Sequence, residues 1–176
     1  SPEIFVPSDI VVEATGLTTT MVELGEATGY DIMGIASVTE HPPRLFILGE
    51  TTVTWTTTDT SGNSASATQT VTIVDTIAPN ITAPESIMME ATSVDSNIVV
   101  LGNPVSNDLV DTPSISNNAP DVFPLGETTV TWTAVDESGN SASATQTVTI
   151  VDTTSPELTM PEDVMISAFS LEKQVE

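Results

Sequence analysis

The chain is 176 residues long and sets 25 Asp and Glu against 2 Lys and Arg, a formal net charge of -23 at pH 7. With only Arg44 and Lys173 basic it has no footprint for a phosphate backbone, which excludes nucleic-acid binding. No apolar run reaches the roughly 18 residues of a membrane span, the start does not read as a cleavable export signal, and the lack of cysteine excludes disulfides and zinc–thiolate sites.

In chain order, the sequence predicts short strands at 3–6, 10–14 and 20–24, weaker ones near 35–39 and 45–48, and equivalents of each 77 residues further on. A stronger pair follows at 51–59 and 68–75, where Val53 and Trp55, then Val71 and Ile73, alternate with Thr. Period-2 alternation of β-branched residues fits half-buried antiparallel strands. Asp59-Thr-Ser-Gly-Asn63 between them is a turn cluster whose Gly and Asn tolerate positive φ, so the two runs form a hairpin. Prolines at 2, 7, 42 and 43 suit edges and loops, and no segment carries a 3.6-residue period. Abundant Val and Ile argue against an acidic disordered chain.

An internal repeat organises the chain. Leu48–Asp59 (LGETTVTWTTTD) answers Leu125–Asp136 (LGETTVTWTAVD), an offset of 77, and Ser61–Thr76 recurs unchanged as Ser138–Thr153. Ser155 restarts the pattern that opens at Ser1. The expected organisation is one module over 1–77, a second over 78–154, and at 155–176 the first strand or strands of a third, or else a donor strand for a neighbouring subunit. Seven or so short strands per 77 residues predict an all-β fold of tandem immunoglobulin-like β-sandwich modules, with Trp55 and Trp132 in their cores.

The stretch Phe123–Val164, with its Pro-Leu-Gly-x-Thr-Thr-Val run, Asp-x-Ser-Gly-Asn turn, closing Val-Asp and Pro-x-Leu-x-x-Pro restart, resembles the hyalin repeat (HYR) module. The resemblance covers both modules and the restart. It implies an immunoglobulin-like fold in extracellular, often adhesive, multi-module proteins. Animal members usually carry a Cys pair, whereas the aligned positions here hold Val6 and Ala67, or Ala83 and Ala144.

Enzyme readings fail singly. His41 is the lone His and sits beside Pro42-Pro43, and Asp59-Thr-Ser-Gly differs from an aspartic-protease loop by one residue too many. No catalytic residue is expected. The acids carry the chemical message instead. Asp75 and Asp152 stand in short connectors stiffened by Pro79 and Pro156, which must bring neighbouring modules close. Oxygen-only ligand sets suit hard cations, Ca2+ above all. The candidate ligands are Glu13, Asp31, Asp75, Glu90, Asp108, Asp111 and Asp152, the bland alternative being a solvated acidic skin. Asn80-Ile-Thr82 is a glycosylation sequon, placing Asn80 as a candidate acceptor.

These features predict an extracellular or cell-surface structural and adhesive repeat array (stalk, surface layer or filament component) stabilised by cations. Its expected partners are neighbouring copies or further modules of the same protein and other cell-surface components. The alternatives are a strand-exchanging filament subunit, spacer modules of a secreted enzyme, and an adhesin tip using the region 26–47 with Tyr30, Met33 and Phe46.

Overall fold

The alternation of apolar and hydroxyl side chains is what sets the long strands, and the loops close around them. A computed structural model describes residues 1–40 and 44–165, which are all-β. The first repeat runs β1 (Glu3–Phe5), β2 (Ile10–Glu13), β3 (Thr20–Met21), β4 (Thr28–Tyr30), β5 (Ile35–Glu40), β6 (Leu45–Phe46), β7 (Gly49–Asp59) and β8 (Ser64–Val74). The second runs β9 (Asn80–Thr82), β10 (Ile87–Glu90), β11 (Val105–Asn107), β12 (Ser114–Asn117), β13 (Gly126–Val135) and β14 (Ser141–Val151).

Each repeat builds a four-stranded sheet on its hairpin, in the orders β2-β8-β7-β5 and β10-β14-β13-β12. β2 lies parallel to β8, with Ile10 opposite Val71, and β10 lies likewise on β14, with Ile87 opposite Val148. The short ladders β1-β4 and β3-β6 belong to the first repeat and β9-β11 to the second. Gly62 and Gly139 take φ of 87° and 92° in the two hairpin turns, a conformation an L side chain resists. Asn63 and Asn140 keep negative φ and instead bond the turn's Asp.

Three differences from the expected strands have local causes. β4 and β11 were not foreseen, because Thr28-Gly-Tyr30 and Val105-Ser-Asn107 lack alternation; they are made by pairing with β1 and β9. The expected strands at 97–101 and 122–125 shrink to a single bridge between Asn97 and Phe123. There the buried Asn97 side chain accepts from the Thr92 and Ser93 amides (2.7 and 3.0 Å) and donates to Ser93 O and Phe123 O (2.8 and 2.9 Å). A local side-chain bridge of this kind competes with strand extension. Residues 155–165 carry no strand and are exposed; 166–176 and His41 lie outside the described residues.

Phe46, Val53, Trp55, Val71 and Ile73 centre the first core, and Phe123, Val130, Trp132, Val148 and Ile150 the second. Phe46, a candidate for an adhesive surface on sequence, is core at 1% exposure, while Tyr30 and Met33 are exposed. Each Trp is fastened by a buried Gln. Trp55 Nε1 donates to Gln69 Oε1 at 3.1 Å, and Gln69 Nε2 donates to Ser8 O and Leu24 O at 2.8 and 3.2 Å. In the second repeat Trp132 Nε1 meets Gln146 Oε1 at 3.1 Å, and Gln146 Nε2 reaches Glu85 O and Leu101 O, both at 2.8 Å. One carboxamide thus ties two loops to the sheet, in a chain without disulfides.

Candidate metal centre

The inward register of the long strands continues past the last apolar residue. On β13 the buried positions run Val130, Trp132, Ala134 and then Asp136; on β8 they run Gln69, Val71, Ile73 and then Asp75. Period 2 therefore turns both carboxylates inward, Asp75 at the end of the first repeat and Asp136 at the hairpin turn of the second. Asp111, in the loop after β11, completes the set. Ligand oxygens of Asp75, Asp111 and Asp136 lie within 4.8 Å of one another.

Hydrogen bonds fix two of the three carboxylates on one side only. Asp136 Oδ1 accepts from the Asn140 amide at 2.7 Å and its Oδ2 from Asn140 Nδ2 at 2.9 Å. The same Nδ2 donates to Asp75 O at 3.1 Å, so Asn140 binds the turn of the second repeat to the connector. Asp111 Oδ2 accepts from the Glu137 amide at 2.7 Å, and Asp75 Oδ1 from the Ile77 amide at 3.3 Å. Asp75 Oδ2 and Asp111 Oδ1 are buried and take no hydrogen bond. Among the described residues these are the two side-chain oxygens or nitrogens so left, and both belong to this cluster. Buried polar atoms in native proteins are almost always partnered, and a place for a bound ion is one standard reason for an exception. Anionic oxygens with free lone pairs, no His and no Cys fit a hard divalent cation such as Ca2+.

The other predicted ligands are placed elsewhere. Asp108 Oδ1 accepts from the amides of Val110 and Asp111 (2.8 and 3.4 Å), shaping the loop that presents Asp111. Asp31 shapes the matching loop of the first repeat, accepting from the Met33 amide at 2.8 Å, and its Oδ2 lies 3.9 Å from the Ser1 ammonium. Asp152 is exposed and accepts from the Thr154 amide at 3.2 Å. Asn80 is exposed on β9. Asp136 was missed as a ligand because the same residue explains a turn. The signal was its parity with Trp132, four residues upstream on the buried face.

Glu13 and Glu90 are clamps on the connectors. Glu13 accepts from Thr76 N and Oγ1 at 2.7 and 2.8 Å. Glu90 accepts from Thr153 N and Oγ1 and from Thr154 Oγ1, at 2.8, 2.7 and 2.7 Å. The bonds from Thr154 and Thr153 pull the Glu90 carboxyl from 4.5 to about 2. A carboxylate with a depressed pKa adds stability that is complete above its unfolded value and fades as pH falls through the folded one. Glu90→Gln is thus expected to melt lower than the parent at neutral pH, with the gap closing between pH 4.5 and about 2. A gap that persists unchanged at pH 2 would contradict the clamp. At the first turn, Asn63 Nδ2 and the amides of Asn63 and Ser61 hold the Asp59 carboxyl below its usual range.

Residues 1–73 and 74–150 each match the HYR domain family. The chain is 36% identical to hyalin of Lytechinus variegatus, covering 97% of this chain and 35% of that protein, and 37% identical to hyalin of Strongylocentrotus purpuratus, covering 91% and 15%. It is 30% identical to the serine-rich adhesin for platelets of Staphylococcus aureus (strain MRSA252), over 73% of this chain and 10% of that protein. The chain thus spans about a third or less of the length of these relatives. Among solved structures, Drosophila N-cadherin EC1-4 aligns with a TM-score of 0.40 at 15% identity, over 86% of this chain and 50% of that one.

Proposed function

Because the chain belongs to the HYR domain family, a family of extracellular and cell-surface proteins, we propose that it is a segment of an adhesive repeat array whose joints are stiffened by Ca2+. Its work on this reading is mechanical: to hold modules in line at the cell surface, without catalysis. Residues 155–176, which repeat the opening of the first module, are assigned to a further module of the array. Partners are further modules of the same kind and other surface components.

One observation carries the cation reading. Asp75, more than nine-tenths buried at 8% exposure, points an unpartnered oxygen into a cluster completed from the other repeat by Asp111 and Asp136. Without a cation, three carboxylates repel one another across the joint. With one, Asp75 of the connector and Asp111 and Asp136 of the second repeat share it, and the joint loses its freedom to bend. Ca2+ supplies charge neutralisation and a coordination shell that carbonyls and water complete.

The test is a thermal melt of the 176-residue chain in EDTA and after Ca2+ is restored, with small-angle scattering on the same samples. The melting midpoint is expected to rise with Ca2+, and the distance distribution to sharpen as the two repeats become collinear. An unchanged midpoint, or an equal rise with any monovalent salt at matched ionic strength, would leave the acids as a diffuse negative surface.

A further inference from the structure

We propose that the parallel ladder between the second and last strands of each repeat is a shear lock against tension along the chain, fastened at its ends by side-chain hydrogen bonds. The proposal rests on the serial-array reading above, since an array pulled end to end is what would strain it, but not on its cation.

Strand direction is the first observation. In each repeat the chain enters ahead of β2 or β10 and leaves from the far end of β8 or β14. The paired segments run parallel, Ile10–Glu13 beside Val71–Val74 and Ile87–Glu90 beside Val148–Val151. Tension therefore drags the two strands past each other, and every bond of the ladder is strained at once. Were the pair antiparallel, both free ends would lie together and the same pull would open the bonds in turn. β2 and β10 are edge strands, so this ladder is their one attachment to the sheet. The three-residue strands ahead of them, β1 and β9, pair elsewhere, with β4 and β11.

The second observation is where the side chains bond. On the entering side of the first ladder, the Thr70 amide donates to Asp9 Oδ1 at 2.7 Å and Gln69 Nε2 to Ser8 O at 2.8 Å. On its leaving side, Ala14 N donates to Val74 O at 2.7 Å, and Thr76 N and Oγ1 reach Glu13. The second ladder repeats the plan with Gln146 on Glu85 O, Ala91 N on Val151 O, and Thr153 and Thr154 on Glu90. Each of these side-chain bonds ties the entering segment to the leaving one, across 61 to 64 residues of sequence. Those on Glu13 and Glu90 are charge-assisted, the stronger class, and they grip the connector where tension leaves the repeat. Forced unfolding follows the unfolding rate rather than the equilibrium, and bonds broken on the way to the transition state set that rate.

The sequence has no cysteine, so an engineered pair fixes where force enters the full 176-residue chain. Ala78→Cys with Ser155→Cys pulls the second repeat along its ladder. Ser96→Cys with Ser155→Cys pulls from the end where β10 and β14 both finish, and all three positions are exposed. In optical tweezers at constant force, in EDTA, the first pair should survive about tenfold longer than the second, or more. Glu90→Ala should shorten the first lifetime by about tenfold or more, because charged hydrogen bonds are lost from the lock. Asn97→Ala strips a buried bridge that crosses no part of the ladder, so it should lower the melting midpoint and leave that lifetime unchanged. Equal lifetimes in the two geometries, or a Glu90→Ala lifetime equal to the parent's, would overturn the lock. Either failure leaves the adhesive array and its calcium joint standing, because force enters beyond Asp75 and the calcium test reads a melting midpoint.

Discussion

Gln146→Leu is expected to lower the stability of the second repeat by about 3 kcal/mol or more, although leucine fills nearly the same volume. Gln146 is buried and serves three groups: it accepts from Trp132 Nε1 and donates to Glu85 O and Leu101 O. Leucine leaves all three without that partner, and each buried polar group so stranded costs about 1–3 kcal/mol. For a domain of this size each kcal/mol moves the midpoint by about 4–8 °C, so the second repeat should melt well before the first. The comparison that isolates the clamp is a double-mutant cycle with Trp132→Phe. Phenylalanine removes the N–H that leucine would strand, so the double variant should cost measurably less than the sum of the two. Trp55 remains as a fluorescent reporter of the first repeat in that background. If Gln146→Leu melts within two or three degrees of the parent, the clamp is packing and not hydrogen bonding.

This clamp also shows what could be read from the residues alone. Burial of Trp55 and Trp132 followed from their place in an alternating run, because a two-residue period fixes a face without knowledge of the rest of the fold. Their partners did not follow. Gln69 and Gln146 are polar residues in Thr-rich strands, and only the return of 8 and 24, or 85 and 101, to the sheet makes them buried connectors. The same divide runs through the candidate site. Asp75 and Asp111 were legible as joint residues, because a short connector with a proline must bring ends together. Asp136 was legible in parity but had a sufficient local explanation as a turn residue. Glu13 and Glu90 look like ligands in a string of letters, since nothing there says that the hydroxyls of Thr76, Thr153 and Thr154 come back to occupy them.

Asp111→Asn is expected to have effects of opposite sign with and without Ca2+. In EDTA the parent holds three carboxylates within 4.8 Å, and two of their buried oxygens have no donor. Asparagine removes one negative charge, keeps an oxygen for the Glu137 amide that Asp111 Oδ2 now accepts, and brings an N–H2 toward the orphaned Asp75 Oδ2. The variant should therefore melt at or above the parent in EDTA. With Ca2+ the order should reverse. A ligand at 100 times its Kd adds about 2.7 kcal/mol, which for a repeat of this length is a rise of about 10–20 °C. The variant, short of one anionic ligand, should recover less than a third of that. Asp59→Asn is the decisive control, because Asp59 occupies the equivalent turn of the first repeat, bonded to Asn63 as Asp136 is to Asn140. It removes the same charge from the same molecule, away from the joint. If the acids act only as a screened negative skin, the two substitutions will shift the calcium response alike. If the joint binds the ion, Asp59→Asn will keep the full response and the Asp111→Asn curves will cross those of the parent.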